Sequence, residues 1–110
     1  MSNAAVAYIA GLFDGEGSVG RYVYTHSKNG KPYYRLHARI SNNNIECLKF
    51  VKRYFSGNIY PSRESYDWHA TYRVAQKFLE AILPYLIVKE DKVLECLNAQ
   101  YPGIIKLKHP

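Results

Sequence analysis

The sequence predicts an α+β domain in which a four-stranded antiparallel sheet carries helices on one face. Two segments show the period-two alternation of β-hairpins, and four stretches around them show helical spacing of apolar residues. The order helix, hairpin, helix, hairpin, helices is typical of α+β proteins and not of alternating βαβ units. At 110 residues the chain is expected to be one domain, with a core over about 5–101 and a basic tail over 102–110.

The first helix is predicted from Ala4 to Asp14 and has two different faces. Val6, Ile9 and Phe13 form a bulky apolar stripe. The residues of the opposite face are all small: Ala4, Ala7, Gly11 and Gly15. Glycine inside a helix costs about 1 kcal/mol relative to alanine, but small residues allow two helix backbones to approach closely. We therefore expect this face to pack against another helix.

Two carboxylates, Asp14 and Glu16, stand at the end of this helix. They could be ordinary turn residues, but acids at a helix C-terminus oppose the helix dipole. The chain is basic, with a formal charge of +6, which favours a nucleic-acid partner. Acids close to the phosphates of such a partner are unfavourable unless a cation bridges them. Mg²⁺ prefers oxygen ligands and often takes one or two carboxylates together with substrate phosphate oxygens. The pattern favours a divalent-cation site.

The first hairpin is predicted from strands Ser18–Thr25 and Tyr33–Ser41, joined by a turn that contains Asn29-Gly30. Asn-Gly is the strongest two-residue signal for a hairpin turn. Alternation places one set of side chains toward the helices. That set is Val19, Val23, Thr25, Tyr34, Leu36, Ala38 and Ile40.

The second half of the chain repeats this organisation and then ends in helices. Asn42-Asn43-Asn44 supplies capping residues for a second helix, and Ser56-Gly57 ends it. Alternation in the second hairpin directs Trp68 and Ala70 inward, with Tyr72 and Val74 after them. The predicted bounds are a helix over Ile45–Phe55, strands over Asn58–Pro61 and Tyr66–Val74, and helices over Ala75–Leu83 and Glu90–Tyr101.

The outward face of the predicted sheet is rich in arginine, histidine and tyrosine. A generic solvated face would mix lysine with glutamate, whereas Asp67 is the only acid on the two long strands. Arginine fits guanine edges and phosphates, and a β-ribbon fits the DNA major groove. RNA is an open alternative, because such surfaces also stack exposed bases. The candidate DNA-binding residues are Tyr22, Tyr24, Tyr33, Arg35, His37, Arg39, Ser41, His69, Thr71 and Arg73.

Composition agrees with a nucleic-acid partner. The formal charge is +6, which favours a polyanion, and nucleic acid is favoured over a membrane surface. No apolar run approaches the roughly 20 residues that span a bilayer. Cys47 and Cys96 are isolated thiols in helical patterns, which predicts reduced cysteines in an intracellular protein.

Two segments together resemble one protein family. Ile9-Ala10-Gly11-Leu12-Phe13-Asp14-Gly15-Glu16-Gly17 resembles the LAGLIDADG motif of homing endonucleases and intron maturases. Leu83-Pro84-Tyr85-Leu86-Ile87-Val88-Lys89 is similar to a late Leu-Pro-x-Leu-x-x-Lys segment of that family. The order of elements also resembles its core domain. The resemblance covers about residues 5–101.

The resemblance implies roles for individual residues. Glu16 matches the acid that binds the metal, and the Gly15 carbonyl matches a backbone oxygen that helps to hold it. Lys89 matches a basic residue near the scissile phosphate and its attacking water. Asn42 lies where many members have a polar residue in the water network. Asp14 matches an acid that supports the helix end and the subunit interface.

The resemblance also implies an assembly and a reaction. The chain has one motif, and one-motif members are homodimers whose motif helices cross at the two-fold axis. The expected interface residues are Ala7, Tyr8, Gly11 and Asp14. The implied reaction is Mg²⁺- or Mn²⁺-dependent hydrolysis that cuts both strands of a long pseudo-palindromic duplex, leaving short 3′ overhangs. The alternatives are an RNA-splicing maturase, a DNA-binding protein that does not cleave, and an interaction domain that only dimerises.

Overall fold

The computed structural model describes residues 2–26 and 28–102 of the chain. The predicted order of elements is confirmed, and the predicted tail after Pro102 lies outside the described residues. The elements are α1 (Asn3–Glu16), β1 (Gly17–Thr25), β2 (Pro32–Asn42), α2 (Ile45–Phe55), β3 (Asn58–Ser62), β4 (Ser65–Thr71), α3 (Tyr72–Ile82), a 3₁₀ turn (Leu83–Tyr85) and α4 (Glu90–Gln100).

The four strands form one antiparallel sheet in the order β1-β2-β4-β3. Strands β2 and β4, one from each hairpin, are therefore neighbours at its centre. Their register pairs His37 with Thr71 and Arg39 with His69. The predicted α+β class, with helices covering one face of the sheet, is confirmed.

The core lies between the sheet and the helices, and aromatic rings meet at its centre. The Phe78 ring on α3 lies 5.5 Å from that of Phe13, 5.1 Å from that of Phe55 and 4.6 Å from that of Trp68. Edge-to-face and tilted contacts at these distances are favourable for aromatic pairs. The cluster joins three helices and the sheet, and so it fixes α1 on the sheet.

The inward faces of the first hairpin are buried over only part of their length. Leu36, Ala38 and Ile40 are fully buried, as predicted. Val23 and Tyr34 face the same side but are exposed, because they lie near the hairpin turn. The Arg21 guanidinium lies 4.3 Å from the centre of the Tyr34 ring, and its Nε donates to Gln100 Oε1.

Helix α1 has the two faces that the sequence predicts. Val6, Ile9 and Phe13 are buried, and the residues of the small-residue face are exposed. A Cβ atom added at Gly11 or Gly15 would meet nothing within 4 Å in this chain. The helix ends at Glu16, two residues beyond the predicted end, so both acids lie within its last turn.

Helix α2 has the predicted bounds and the predicted cap. Asn44 Oδ1 accepts a hydrogen bond from the Glu46 backbone N–H at 2.9 Å. Beyond the helix, Ser56 and Gly57 have φ values of 67° and 87°, so the chain reverses there in left-handed conformations. Trp68 Nε1 donates to the Ser56 carbonyl at 2.8 Å and holds the reversal against the sheet.

The predicted end of the fourth strand is wrong. Strand β4 ends at Thr71, and Tyr72 begins α3 with a φ of 54°. A left-handed residue breaks the alternation, so Tyr72 and Val74 do not continue the inward face of the strand. Arg73, predicted on the outward face of the sheet, instead lies in the first turn of α3.

The other boundaries differ by one or two residues, which is the usual uncertainty at element ends. Leu83 lies in the 3₁₀ turn and not in α3, and α4 ends at Gln100. Of the two cysteines, Cys96 is buried and Cys47 is half-buried, and neither forms a disulfide. No helix within the described part of the chain is both long and apolar enough to cross a membrane.

Candidate nucleic-acid interface and acidic centre

The C-terminal end of α1 brings together two of the predicted catalytic residues. Glu16 is the last helical residue and its side chain is exposed. Asn42, at the end of β2, donates a hydrogen bond from Nδ2 to Glu16 Oε2. The sequence separates these residues by 26 positions, and the β1–β2 pairing brings them together. The amide fixes one carboxylate oxygen of an otherwise solvated acid.

Asp14 has a different task. Its carboxylate accepts three backbone N–H bonds, from Ile87 at 2.7 Å, Val88 at 3.1 Å and Lys89 at 2.9 Å. These groups lie in the loop before α4, so Asp14 of α1 satisfies backbone donors of that loop. Burial raises the pKa of Asp14, but the three hydrogen bonds and the Lys89 charge outweigh burial and lower it below 3.8. Asp14 therefore joins the motif helix to the segment that carries Lys89.

The Lys89 side chain returns to the same helix end. Its Nζ donates to the Asp14 carbonyl oxygen at 2.6 Å. A cation is favourable there, because the free carbonyls at a helix C-terminus carry partial negative charge. An ammonium group has three donors, and this contact uses one of them. Glu16, Asn42 and Lys89 thus all lie at the C-terminal end of α1, which is the predicted reaction centre.

The oxygen donors at this centre fit a hard divalent cation. Glu16 offers a carboxylate, and Gly15, which is exposed, offers its backbone carbonyl. The described residues contain no group of three or more His, Cys, Asp or Glu side chains that could hold a metal. Mg²⁺ keeps several waters and takes substrate phosphate oxygens, so it needs no such cage. The donor set suits Mg²⁺ or Mn²⁺ better than zinc.

The sheet surface opposite the helices, which we call the open face, carries most of the predicted DNA-binding residues. Strand register places them side by side: Tyr22 pairs with Arg35, and Arg39 pairs with His69. Apart from Arg73, every candidate lies on β1, β2 or β4 of this face. The residues of the open face are Ser18, Gly20, Tyr22, Tyr24, Tyr33, Arg35, His37, Arg39, Ser41, Asn58, Tyr60, Ser62, Ser65, Asp67, His69 and Thr71.

Two histidines form a pair at the centre of the open face. His37 Nδ1 and His69 Nε2 are 2.7 Å apart, and the Tyr24 hydroxyl lies 3.3 Å from His37 Nε2. The Tyr22 ring packs edge-on against His37 at 4.7 Å. These side chains line a shallow cavity of about 280 Å³. His37 is only 9% exposed, and so it orients its neighbours more than it contacts a ligand.

Burial and nearby positive charge keep the two imidazoles neutral. Burial is the main cause that lowers the pKa of His37 from 6.5 to about 4, and His69, Arg35 and Arg39 add to it. Burial and Arg39 also lower the pKa of His69, although Asp67 opposes them. At neutral pH the pair therefore shares hydrogen bonds without adding charge to the open face.

One member of the open-face cluster was not predicted. The Tyr72 hydroxyl accepts a hydrogen bond from Arg35 Nε at 2.9 Å. The Arg35 guanidinium also lies over the Tyr24 ring at 4.2 Å and the Tyr72 ring at 4.9 Å. The alternation pattern predicts an inward Tyr72 because it continues to Val74, whereas β4 ends at Thr71. No local signal marks the left-handed conformation, which glycine and asparagine adopt far more often than tyrosine.

Solved structures support the same fold. The homing endonuclease I-CvuI, in complex with the I-CreI target in the presence of Mg, is 18% identical with a TM-score of 0.75; the alignment covers 86% of this chain and 64% of I-CvuI. An archaeal intron-encoded homing endonuclease complexed with DNA gives 21% identity and a TM-score of 0.72, covering 92% of this chain and 71% of that one. The group I intron-encoded homing endonuclease I-CeuI, also complexed with DNA, is 17% identical with a TM-score of 0.65; the alignment covers 89% of this chain and 54% of I-CeuI.

The present chain thus spans less than two thirds of the length of I-CvuI. Functionally curated proteins give no significant match. The sequence profile of the LAGLIDADG endonucleases matches residues 9–92, which include the motif at residues 9–17, both hairpins and the Lys89 segment. This match covers well over half of the chain and includes Glu16, Asn42 and Lys89. The chain therefore belongs to the LAGLIDADG endonuclease family.

Proposed function

We propose that the protein is a site-specific homing endonuclease that acts as a homodimer. It cuts both strands of a long pseudo-palindromic DNA duplex by divalent-metal-dependent phosphodiester hydrolysis. One observation carries the proposal: the exposed acid Glu16 ends the helix whose small-residue face has no partner within the described chain. A second copy on that face would bring two Glu16 side chains close together.

The chemistry follows from the groups around Glu16. A bound divalent cation supplies Lewis-acid stabilisation of the phosphate and a hydroxide nucleophile. Glu16 and the Gly15 carbonyl hold it, and Asn42 orients the carboxylate through its hydrogen bond to Oε2. Lys89 uses one donor on the Asp14 carbonyl and directs the others to the phosphate or the attacking water. Its positive charge offsets the negative charge that develops during hydrolysis.

Dimer formation has a physical basis in two exposed surfaces. The small-residue face of α1 allows close backbone approach, and Tyr8 beside it is 52% exposed. Ile87 and Val88 are 87% and 75% exposed, and the Asp14 hydrogen bonds hold their backbone against the end of α1. Apolar side chains this exposed gain free energy when a second copy covers them. The two-fold axis would run beside α1.

DNA recognition is assigned to the open face. Arg35, Arg39 and Arg73 supply positive charge, with Arg73 entering from α3 and not from the sheet. Within a two-fold dimer, each open face reads one half-site in the major groove while the acidic centres face the minor groove between them. A duplex with two-fold related halves matches this symmetry.

A cleavage selection tests the proposal. Wild-type protein is incubated with Mg²⁺ and a library of duplexes with randomised palindromic half-sites, and the cut molecules are sequenced. We expect a single recovered consensus with breaks in both strands. Tight, sequence-selective binding without cutting would contradict the nuclease and favour a binding protein, including a splicing maturase. Sedimentation without DNA gives the assembly, for which we expect about twice 12.7 kDa.

A further inference from the structure

Tyr72 adopts a backbone conformation that its residue type disfavours. Its φ of 54° lies in the left-handed region, which is unfavourable for a residue with a bulky side chain. Glycine would adopt the same conformation without this cost. The side chain is not needed to fill the core, because it is 45% exposed. Core packing therefore gives no reason for tyrosine at this position.

The Tyr72 side chain instead acts on one arginine of the open face. Its hydroxyl accepts from Arg35 Nε at 2.9 Å, and its ring lies 4.9 Å from the guanidinium carbon. The Tyr24 ring contacts the same guanidinium at 4.2 Å. Arginine loses much rotamer entropy when it is fixed, so a guanidinium fixed in advance binds at a lower entropic cost.

The occupied donor matters for recognition. With Nε bound to Tyr72, Arg35 keeps its two terminal nitrogens, which can donate as a pair to O6 and N7 of one guanine. Lysine or a mobile arginine would favour guanine less, because neither presents a fixed pair of donors. The open-face position of Arg35, paired with Tyr22 across β1 and β2, is compatible with contact to a base edge.

We propose that Tyr72 is a positioning residue that fixes Arg35 to read one guanine in each half-site. The left-handed backbone is the conformation that turns the tyrosine ring from the helix layer to the open face. This inference rests on the proposed DNA recognition, but the Arg35–Tyr72 bond itself is measurable without DNA. Three variants separate its parts: Tyr72→Phe removes the acceptor, Tyr72→Gly removes ring and strain, and Arg35→Gln removes the reader.

The first test uses NMR of the ¹⁵N-labelled protein without DNA. The Arg35 Nε–H resonance should exchange slowly with solvent in the wild type and at least tenfold faster in Tyr72→Phe. Arg21 Nε–H, bound to Gln100, is the internal reference and should not change. An Arg35 resonance that is unchanged in Tyr72→Phe would overturn the positioning role, whatever the protein does with DNA.

The second test compares binding selections from the duplex library of palindromic randomised half-sites. We expect Arg35→Gln to lose guanine preference at one position in each half-site by about tenfold or more. Tyr72→Gly should lose it at that same position, and Tyr72→Phe should lose part of it. Tyr85→Phe, an exposed tyrosine in the 3₁₀ turn, is the control and should select the wild-type consensus.

The thermal stability of Tyr72→Gly and the wild-type consensus separate a positioning role from a structural one. Tyr72→Gly should unfold at the wild-type temperature or higher, because the strain is relieved. A destabilised Tyr72→Gly that keeps the full guanine preference would show a structural role and overturn the inference. A wild type that selects no consensus overturns both this inference and the proposed DNA recognition. A wild type that selects a consensus without such a guanine overturns the inference alone.

Discussion

Single side chains at the end of α1 have separate tasks although they are neighbours in sequence. Asp14 is bound to backbone N–H groups of the same chain, whereas Glu16 is exposed and contacts Asn42. The sequence-based assignment of Glu16 as the metal-binding acid and Asp14 as a support of the helix end stays a prediction. The sequence could not identify the partners of Asp14, which lie 73 to 75 positions away.

Replacing Asp14 by asparagine should weaken the fold. The carboxylate accepts three N–H bonds, and an amide offers one oxygen in place of two. We expect the free energy of unfolding to fall by about 2 kcal/mol, measured by urea denaturation at pH 7. Asp91→Asn, in the exposed first turn of α4, is the matched control and should change stability much less. Equal effects of the two substitutions would contradict the role of Asp14 in holding the loop before α4.

The buried imidazole of His37 should make stability depend on pH. Its folded pKa of about 4 lies below 6.5, so the unfolded chain binds the proton more readily. Stability from the neutral form is present above about pH 6.5 and is lost as the pH falls towards 4. We expect the wild type to lose more stability between pH 7 and pH 5 than His37→Gln, which does not titrate there. Identical losses would contradict the assignment.

At the scale of elements, the junction from α1 to β1 depends on close packing. A Cβ atom at Gly17 would lie 2.7 Å from Cγ of Phe13, whereas one at Gly11 would meet nothing within 4 Å. The φ of Gly17 is −95°, so the space and not the backbone conformation requires glycine. Gly17 thus allows a close contact within the chain. Gly11 is expected to allow a close contact with a second copy.

Gly17→Ala should therefore destabilise the single chain. The added methyl would displace Phe13, which belongs to the aromatic cluster around Phe78, and overpacking of this kind costs about 2 kcal/mol. Gly11→Ala should have the opposite effect on an isolated chain, because alanine favours a helix by about 1 kcal/mol over glycine. Denaturant unfolding of the two variants in a dilute, monomeric sample measures both. Equal destabilisation would contradict the assignment.

Sequence reasoning succeeds where local signals act alone. Asn44 caps α2, Asn29-Gly30 turns the first hairpin, and alternation gives the buried face of β2. It fails at Tyr72, because the left-handed conformation has no sequence signal in a tyrosine. The alternation pattern predicts that His37 and His69 both face outward, but it does not predict their contact. That contact depends on the register between β2 and β4.

The whole molecule is flat, with the polar open face of the sheet on one side and the helices on the other. Its extents are 42 × 41 × 22 Å, so its longest dimension is similar to one turn of B-DNA, which is ~34–36 Å. Two copies related by the α1 contact would carry twice the +6 charge of one chain. Assembly and chemistry are then coupled, because the same helix supplies the contact and the acid.

Filling the small-residue face should separate the two copies. In Gly11→Leu the new Cβ meets no atom of the same chain within 4 Å, so the fold is kept. The larger side chain blocks close approach of a second α1. We expect sedimentation at about 12.7 kDa with unchanged circular dichroism, and loss of double-strand cleavage. Ala99→Leu, an exposed small residue on α4, is the control and should remain dimeric. A dimeric, active Gly11→Leu would place the interface elsewhere.

The most direct measurement compares cutting and binding by Glu16→Gln on the duplex that wild type selects. Glutamine keeps the size of the side chain but lacks the charge that holds a divalent cation. We predict cleavage reduced at least a thousandfold, with dimer mass and DNA affinity within about threefold of wild type. Glu64→Gln, in the exposed turn between β3 and β4, should cut normally. Full cleavage by Glu16→Gln would contradict the central role of this acid.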